Sequence, residues 1–208
     1  MTEQVKSKKI LILFAHPAQH HSKANAAMAV AAKQVEGLTF IDLYAQYPRL
    51  KIDVEAEQKR LLEHDVIVFQ FPIFWYSTPS ILKEWQDLVL EFGFAYGHDG
   101  DKLKGKKFLI AATAGRSDQA YSVDGDNKHS LRTFLKPLEL TAELCQMQYI
   151  PPFILHASLE AQQNGEIENH AIEYGRLLNA LSSDRLNMSE AISREYLNIS
   201  QLPINEVN

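Results

Sequence analysis

Three histidines, a proline and a serine crowd one short connection, "AHPAQHHS", at residues 15–22. Side chains of these types can ligate a metal, move protons, or donate hydrogen bonds to an anion. A metal would draw on His16, His20 and His21. No carboxylate or cysteine joins them locally and adjacent histidines diverge in direction, so the pattern argues against a metal. An anion is better served. The connection leads into an alanine-rich segment, and at a helix start free N–H groups and the positive dipole end favour negative charge. Ser22 offers a hydroxyl, Asn25 an amide and His16 a ring N–H. Taken alone, Ser22 reads equally as a plain N-cap. The chain lacks the glycines of a dinucleotide fingerprint and the Gly-Lys-Ser/Thr of a triphosphate loop. A terminal phosphate monoester therefore suits this cradle better than a pyrophosphate.

Two other stretches carry unusual chemistry. "FPIFWYSTPS" (71–80) sets Phe74, Trp75 and Tyr76 just beyond an apolar run. Loop aromatics often serve as core lids, but they also make the wall a flat ligand needs. "TAGRSDQAYS" (113–122) combines Thr113, Gly115 and Tyr121. Gly115 permits close approach of the main chain to a ligand, although an ordinary turn explains it nearly as well.

The elements around these loops decide how they relate. "KILILFA" (9–15), "VIVFQF" (66–71) and "KFLIAATA" (107–114) are continuously apolar, as strands buried on both faces of a parallel sheet are. "TFIDLY" (39–44) and "QYIPPFILHA" (148–157) complete five strands, and Pro151 and Pro152 place the last at its start or at an edge. Helices are expected between them: one from Ser22 to Gly37, one capped by Asp53, and one capped by Thr78 with Pro79 in its first turn. A further helix is interrupted by Pro137, and another carries Ile167, Ala171, Tyr174, Leu178 and Leu181 on one stripe. This alternation means a doubly wound α/β sheet, whose ligand lies beyond the carboxyl ends of the strands at the switch point. The three unusual loops follow strands one, three and four. Together they describe a mononucleotide site with a planar ring, which a flavin mononucleotide (FMN) fits best.

At these residues the chain resembles the flavodoxin-like NAD(P)H:quinone oxidoreductases, and within them the ancillary subunits of glutathione-gated potassium efflux systems. The resemblance rests on "AHP…HSKAN", "FPIFWYSTPSILKEWQDLVLEFGFAYG" and "TAGRSDQAYS", and covers roughly residues 8–182. It implies a five-stranded parallel sheet in the order 2-1-3-4-5. His16 with Ser22, Lys23, Ala24 and Asn25 would hold the flavin phosphate and ribityl chain. Pro72, Ile73, Phe74, Trp75 and Tyr76 would lie along the ring, and Thr113, Ala114, Gly115 and Arg116 would meet its other edge. The family often has a second glycine where Arg116 stands, and an arginine there favours an anionic, reduced ring. Tyr121 matches a tyrosine that assists hydride transfer in the animal quinone reductases. Its histidine partner has no counterpart at the same spacing, where Asn127 stands; His129 is a loose substitute.

Composition narrows the function. The 208 residues include 46% apolar and 23% charged residues, with a net charge of −5. That length suits one domain, taken as residues 1–183, and the charge argues against a nucleic-acid partner. The lone Cys145, the absence of a secretory h-region in "MTEQVKSKK" and the absence of a long apolar run lead us to expect a cytoplasmic protein. Residues 184–208 extend past the usual family end, as a short helix in "SEAISREYLNI" or a disordered tail. The expected reaction is a two-electron, ping-pong hydride transfer from NAD(P)H to a quinone, in a homodimer. A flavodoxin-type electron carrier is the alternative, weakened by the near balance of acids and bases. A redox-sensing regulatory subunit, peripheral at the inner membrane through a potassium efflux antiporter, is compatible with catalysis.

Overall fold

The computed structural model describes residues 7–18, 22–198 and 200–206. Its centre is a five-stranded, all-parallel sheet in the order β2-β1-β3-β4-β5. The strands are β1 (Ile10–Phe14), β2 (Leu38–Asp42), β3 (Val66–Pro72), β4 (Lys107–Thr113) and β5 (Gln148–Leu155). Every residue of β1 and β3 is buried, which is why these runs are apolar throughout rather than alternating.

Successive strand residues face opposite layers. Leu11, Leu13, Ile67, Phe69 and Ile110 pack with Leu61, Trp85 and Leu135. These three come from α3 (Val54–Glu63), α4 (Ser80–Val89) and α5 (Leu131–Leu144). Ile10, Ile12, Val66, Val68 and Leu109 face the other way, against Met28 and Leu178. Those belong to α1 (Lys23–Ala32) and α7 (Glu166–Ser182). Short helices α2 (Leu43–Gln46) and α6 (Ser158–Gln163) complete the connections.

Several boundaries differ from expectation for local reasons. α1 stops at Ala32, and Gly37 turns the chain with a positive φ of 72° only after a further bend. Pro79, not Thr78, is the N-cap of α4, with no side-chain capping bond. α5 runs through Pro137 without breaking. β5 is indeed an edge strand, and its two prolines lie within it. The register slips from Leu109↔Ile150 to Ala111↔Phe153, so a bulge absorbs them.

Beyond α7 the chain is folded, not disordered, over the described residues. Helix α8 (Met188–Ile192) is capped by the Asn187 side chain, which accepts a bond from the Glu190 N–H. Leu186 and Ile204 pair as an antiparallel bridge.

Candidate functional site

The three loops meet at the carboxyl edge of the sheet. Ala15 N–H donates to the Gln70 carbonyl (2.9 Å) and Ile73 N–H to the Thr113 carbonyl (2.8 Å), which ties the exits of β1, β3 and β4 together. His16 is buried, and its Nδ1 accepts from the Ala18 N–H at 3.1 Å, leaving the ring proton for Nε2. Burial lowers its pKa, against a smaller raising effect of Asp42, so the ring is a neutral donor. Its ring stands edge-on to Phe74, centroids 6.0 Å apart. His20 and His21 lie outside the described residues.

Ser22 is the N-cap of α1, its Oγ accepting from the Asn25 N–H at 3.3 Å. Lys23 is exposed, whereas Ala24 packs with Leu155, Ala161 and Ile167. Asn25 is wholly buried, and its amide donates to Thr113 Oγ1 (2.9 Å) and Ser22 Oγ (3.3 Å). Both amide protons are thus spent tying the first loop to the third. Its Oδ1 is buried without a partner among the described residues. Gln70, the one polar side chain in β3, bonds the Asn25 carbonyl (3.2 Å) and accepts from the Tyr174 hydroxyl (3.2 Å). It fixes the start of α1 against the sheet, a positioning role that the polar break in "VIVFQF" signals.

The aromatic loop is a tight two-residue hairpin. Phe74 and Ser77 exchange N–H···O bonds of 3.0 Å, with Trp75 (φ 50°) and Tyr76 (φ 63°) both left-handed between them. Such turns favour Asn-Gly, and each bulky residue there costs about 1–2 kcal/mol. The turn holds Trp75 94% exposed beside half-exposed Phe74 and Tyr76. Pro72 is buried and Ile73 half-buried beneath them.

In the third loop Thr113 and Ala114 are buried. A Cβ at Gly115 would meet nothing within 4 Å, so open space, not backbone strain, distinguishes this position. Arg116 is ion-paired with Asp126. Tyr121 sits in a short 3-10 turn, Gln119–Tyr121, and is buried. Gly125 closes over that turn so tightly that a Cβ would fall 2.1 Å from the Gln119 carbonyl. Burial raises the Tyr121 pKa and Tyr76 adds to it, against Arg116, so the phenol keeps its proton.

Tyr121 packs on Phe134 at 6.0 Å, and the exposed His129 also packs edge-on with Phe134, at 6.1 Å. The histidine whose ring packs against Tyr121 is His156, 6.1 Å away. The apolar pattern of "QYIPPFILHA" runs through His156. The strand ends at Leu155, which puts this histidine at the carboxyl edge with the other loops.

A helix start with hydrogen-bond donors, an exposed aromatic turn and an open third loop meet at one end of a flavodoxin-like sheet. The chain belongs to the flavodoxin-like fold family, which matches residues 8–178. It is 44% identical over 170 residues (82% of this chain, 92% of the relative) to the glutathione-regulated potassium-efflux system ancillary protein KefG of Cronobacter sakazakii. The general stress protein 14 of Treponema denticola, solved in complex with FMN, is 43% identical with a TM-score of 0.78. That match covers 83% of this chain and 99% of that one. An NADPH-quinone reductase from P. pentosaceus is 28% identical, with a TM-score of 0.74, over 82% of this chain and 97% of the other. The resemblance to flavodoxin-like quinone oxidoreductases and efflux ancillary proteins is borne out.

Proposed function

We propose that this chain is an FMN-dependent NAD(P)H:quinone oxidoreductase working by a ping-pong, two-electron hydride transfer. The observation that carries the reading is the convergence of the α1 N-terminus, the neutral His16 ring, the left-handed aromatic turn and the open Gly115 loop on one switch point. The residues fit FMN: the buried, unpartnered Asn25 Oδ1 calls for a donor such as a ribityl hydroxyl. When bound, FMN would hold the electron pair between donor and acceptor. NAD(P)H gives up a hydride, the quinone takes two electrons and two protons, and solvent supplies the second proton. NAD(P)+ and hydroquinone are the products.

The chain's residues have separable parts. His16 Nε2–H and the N–H groups opening α1 bind the phosphate, joined by Ser22. The main chain of Ile73 to Tyr76 would hold the polar part of the ring, and Trp75 would pack on the bound group and keep water from it. Tyr121 donates a hydrogen bond to charge developing on ring or acceptor. Exposed Phe74, Trp75, Tyr76 and Phe92 (67%) are apolar surface suited to a second copy, so the working unit is a homodimer.

Purified protein should release FMN, not FAD, on heating, and should bleach on anaerobic addition of NADPH or NADH. A protein that stays colourless after loading with FMN and desalting would end this reading. Parallel double-reciprocal lines with varied quinone test the ping-pong order. Tyr121→Phe should lower turnover about 10-fold or more with flavin retained.

A second role is favoured by the KefG relatives, 42–44% identical. The chain would act as a peripheral ancillary subunit of a potassium efflux antiporter at the inner membrane. No helix among the described residues is long and apolar enough to cross a membrane, so membrane contact would run through that partner. Thiol-triggered potassium loss that is unchanged in a deletion strain lacking paralogues would leave only the free-standing reductase.

A further inference from the structure

The segment beyond α7 lies outside the residues matched by the family, yet it is bonded to the site's surroundings. Arg185 and Asn205 are joined by a 2.9 Å backbone bond, and Asn187 and Pro203 by one of 2.8 Å, which closes the segment on itself. From this loop two contacts reach the free edge of β5. Leu197 N–H donates to the Pro152 carbonyl at 3.0 Å. The Asn198 side chain brackets Ile154, accepting from its N–H (2.9 Å) and donating to its carbonyl (2.7 Å). Asn198 thus stands in for a neighbouring strand at the edge. A third attachment is to the start of α5, where Tyr196 Oη accepts from the Arg132 N–H at 3.3 Å and Arg132 Nη1 donates to the Arg194 carbonyl at 3.1 Å.

One of these anchors, Tyr196, also packs on His156. The Tyr196 ring stands edge-on to the imidazole, 5.5 Å away, while Tyr121 lies 6.1 Å from it. His156 is followed by Ala157, held left-handed (φ 48°) with its N–H on the Arg116 carbonyl at 2.9 Å. A non-glycine residue keeps that conformation only where its surroundings over-determine it. Tyr121 is therefore held between Phe134 and His156, and His156 between Tyr121 and Tyr196.

We propose that residues 184–198 and 200–206 are a built-in brace of the candidate site, which pins β5 and lays Tyr196 on His156 so that His156 positions Tyr121. The activity part of this proposal rests on the oxidoreductase reading above; the structural part does not.

The charged and titratable groups facing His156 are Asp118, Glu195, Tyr121, Tyr196 and His170 of α7. Asp118 Oδ1 lies 3.4 Å from Nε2 without hydrogen-bond alignment, so it acts through charge alone. Burial lowers the His156 pKa, against smaller raising effects of Asp118 and Glu195, and the ring is neutral at pH 7. Removing the Tyr196 ring admits water and lets that pKa climb.

The test uses the full chain with labelled histidines, comparing wild type, Tyr196→Leu and Asn198→Ala. In Tyr196→Leu the His156 imidazole signal should titrate at higher pH, and the acid limb of FMN-loaded turnover should move up with it. In Asn198→Ala the Ile154 amide should exchange about 10-fold faster or more. A folded Tyr196→Leu protein with the wild-type His156 titration and pH profile would overturn the proposal. So would wild-type exchange at Ile154 in Asn198→Ala. If wild type itself binds no FMN, the oxidoreductase reading fails, and the titration and exchange still decide whether the brace exists.

Discussion

Glu57 and Asn25 are both fully buried, on opposite layers of the same sheet, and their surroundings differ in completeness. Glu57 Oε1 accepts from the Tyr47 hydroxyl (2.5 Å) and pairs with Arg60, while Oε2 accepts from Trp85 Nε1 (2.9 Å). That network joins α3 to α4 and to the end of α2 with both carboxylate oxygens answered. Around Asn25 the account does not close. Its own Oδ1 is buried without a hydrogen-bond partner among the described residues; so are Asn127 Nδ2 and His156 Nε2 in the loops after β4 and β5, and, away from the loops, Tyr149 Oη and His170 Nε2, while Trp75, Tyr76 and Ala157 are left-handed. Leaving a buried polar atom unpaired costs about 1–3 kcal/mol. The complete network braces α3 against α4, and the incomplete one lies at the switch point, where the proposed FMN would bind.

The largest expected effect breaks the complete network. Glu57→Ala strands the Tyr47 hydroxyl and the Trp85 N–H and leaves Arg60 without its partner, so it should lower stability by about 3–5 kcal/mol. Denaturant unfolding measures this, and FMN affinity of the folded fraction should stay within about 3-fold of wild type.

Next comes acid. His170 on α7 is buried against Phe153 with Nε2 unpartnered, and burial pushes its pKa down to about 4. The unfolded chain binds this proton more readily, so the neutral ring's contribution is whole above pH 6.5 and is lost as pH falls from 6.5 towards 4. The difference corresponds to about 3 kcal/mol, and His170→Phe should flatten the stability profile over that window.

At the incomplete site the ranking of stability and binding should invert. Asn25→Ala cuts the tether between the first and third loops, costing about 1–2 kcal/mol of stability but weakening FMN by about 10-fold or more. Trp75→Asn should have the smallest stability effect. Asparagine tolerates the left-handed turn, so unfolding should show a gain of at most about 1 kcal/mol, while FMN titration shows weaker binding. Equal FMN affinity in both variants would dissolve the contrast between the two networks.

Much of this arrangement is legible in sequence because burial on both faces leaves an unbroken apolar run. "KILILFA", "VIVFQF" and "KFLIAATA" are β1, β3 and β4 to within a residue or two, and the loops after them converge as the switch-point rule requires. Backbone conformation is less legible. Nothing in "FWYS" signals that Trp75 and Tyr76 both take positive φ, since that turn normally carries asparagine and glycine. His156 is hidden because the strand pattern continues two residues past Leu155, whereas His129 enters only through the family resemblance, two residues beyond the position of the family's histidine. The terminal segment was ambiguous because its anchors, Tyr196, Leu197 and Asn198, act through tertiary contacts with β5 and α5 rather than through helical periodicity.

On the proposed reading FMN supplies the donor that the buried Asn25 Oδ1 lacks at the switch point. The direct measurement is thermal unfolding and amide exchange of the flavin-free protein with and without FMN. At about 100 times its dissociation constant FMN should add about 2.7 kcal/mol of stability. Slowed exchange should centre on the loops around Ser22–Asn25, Ile73–Tyr76 and Thr113–Arg116, with none added at the Glu57 network. An unchanged melting temperature at saturating FMN, or protection spread evenly over the molecule, would contradict it.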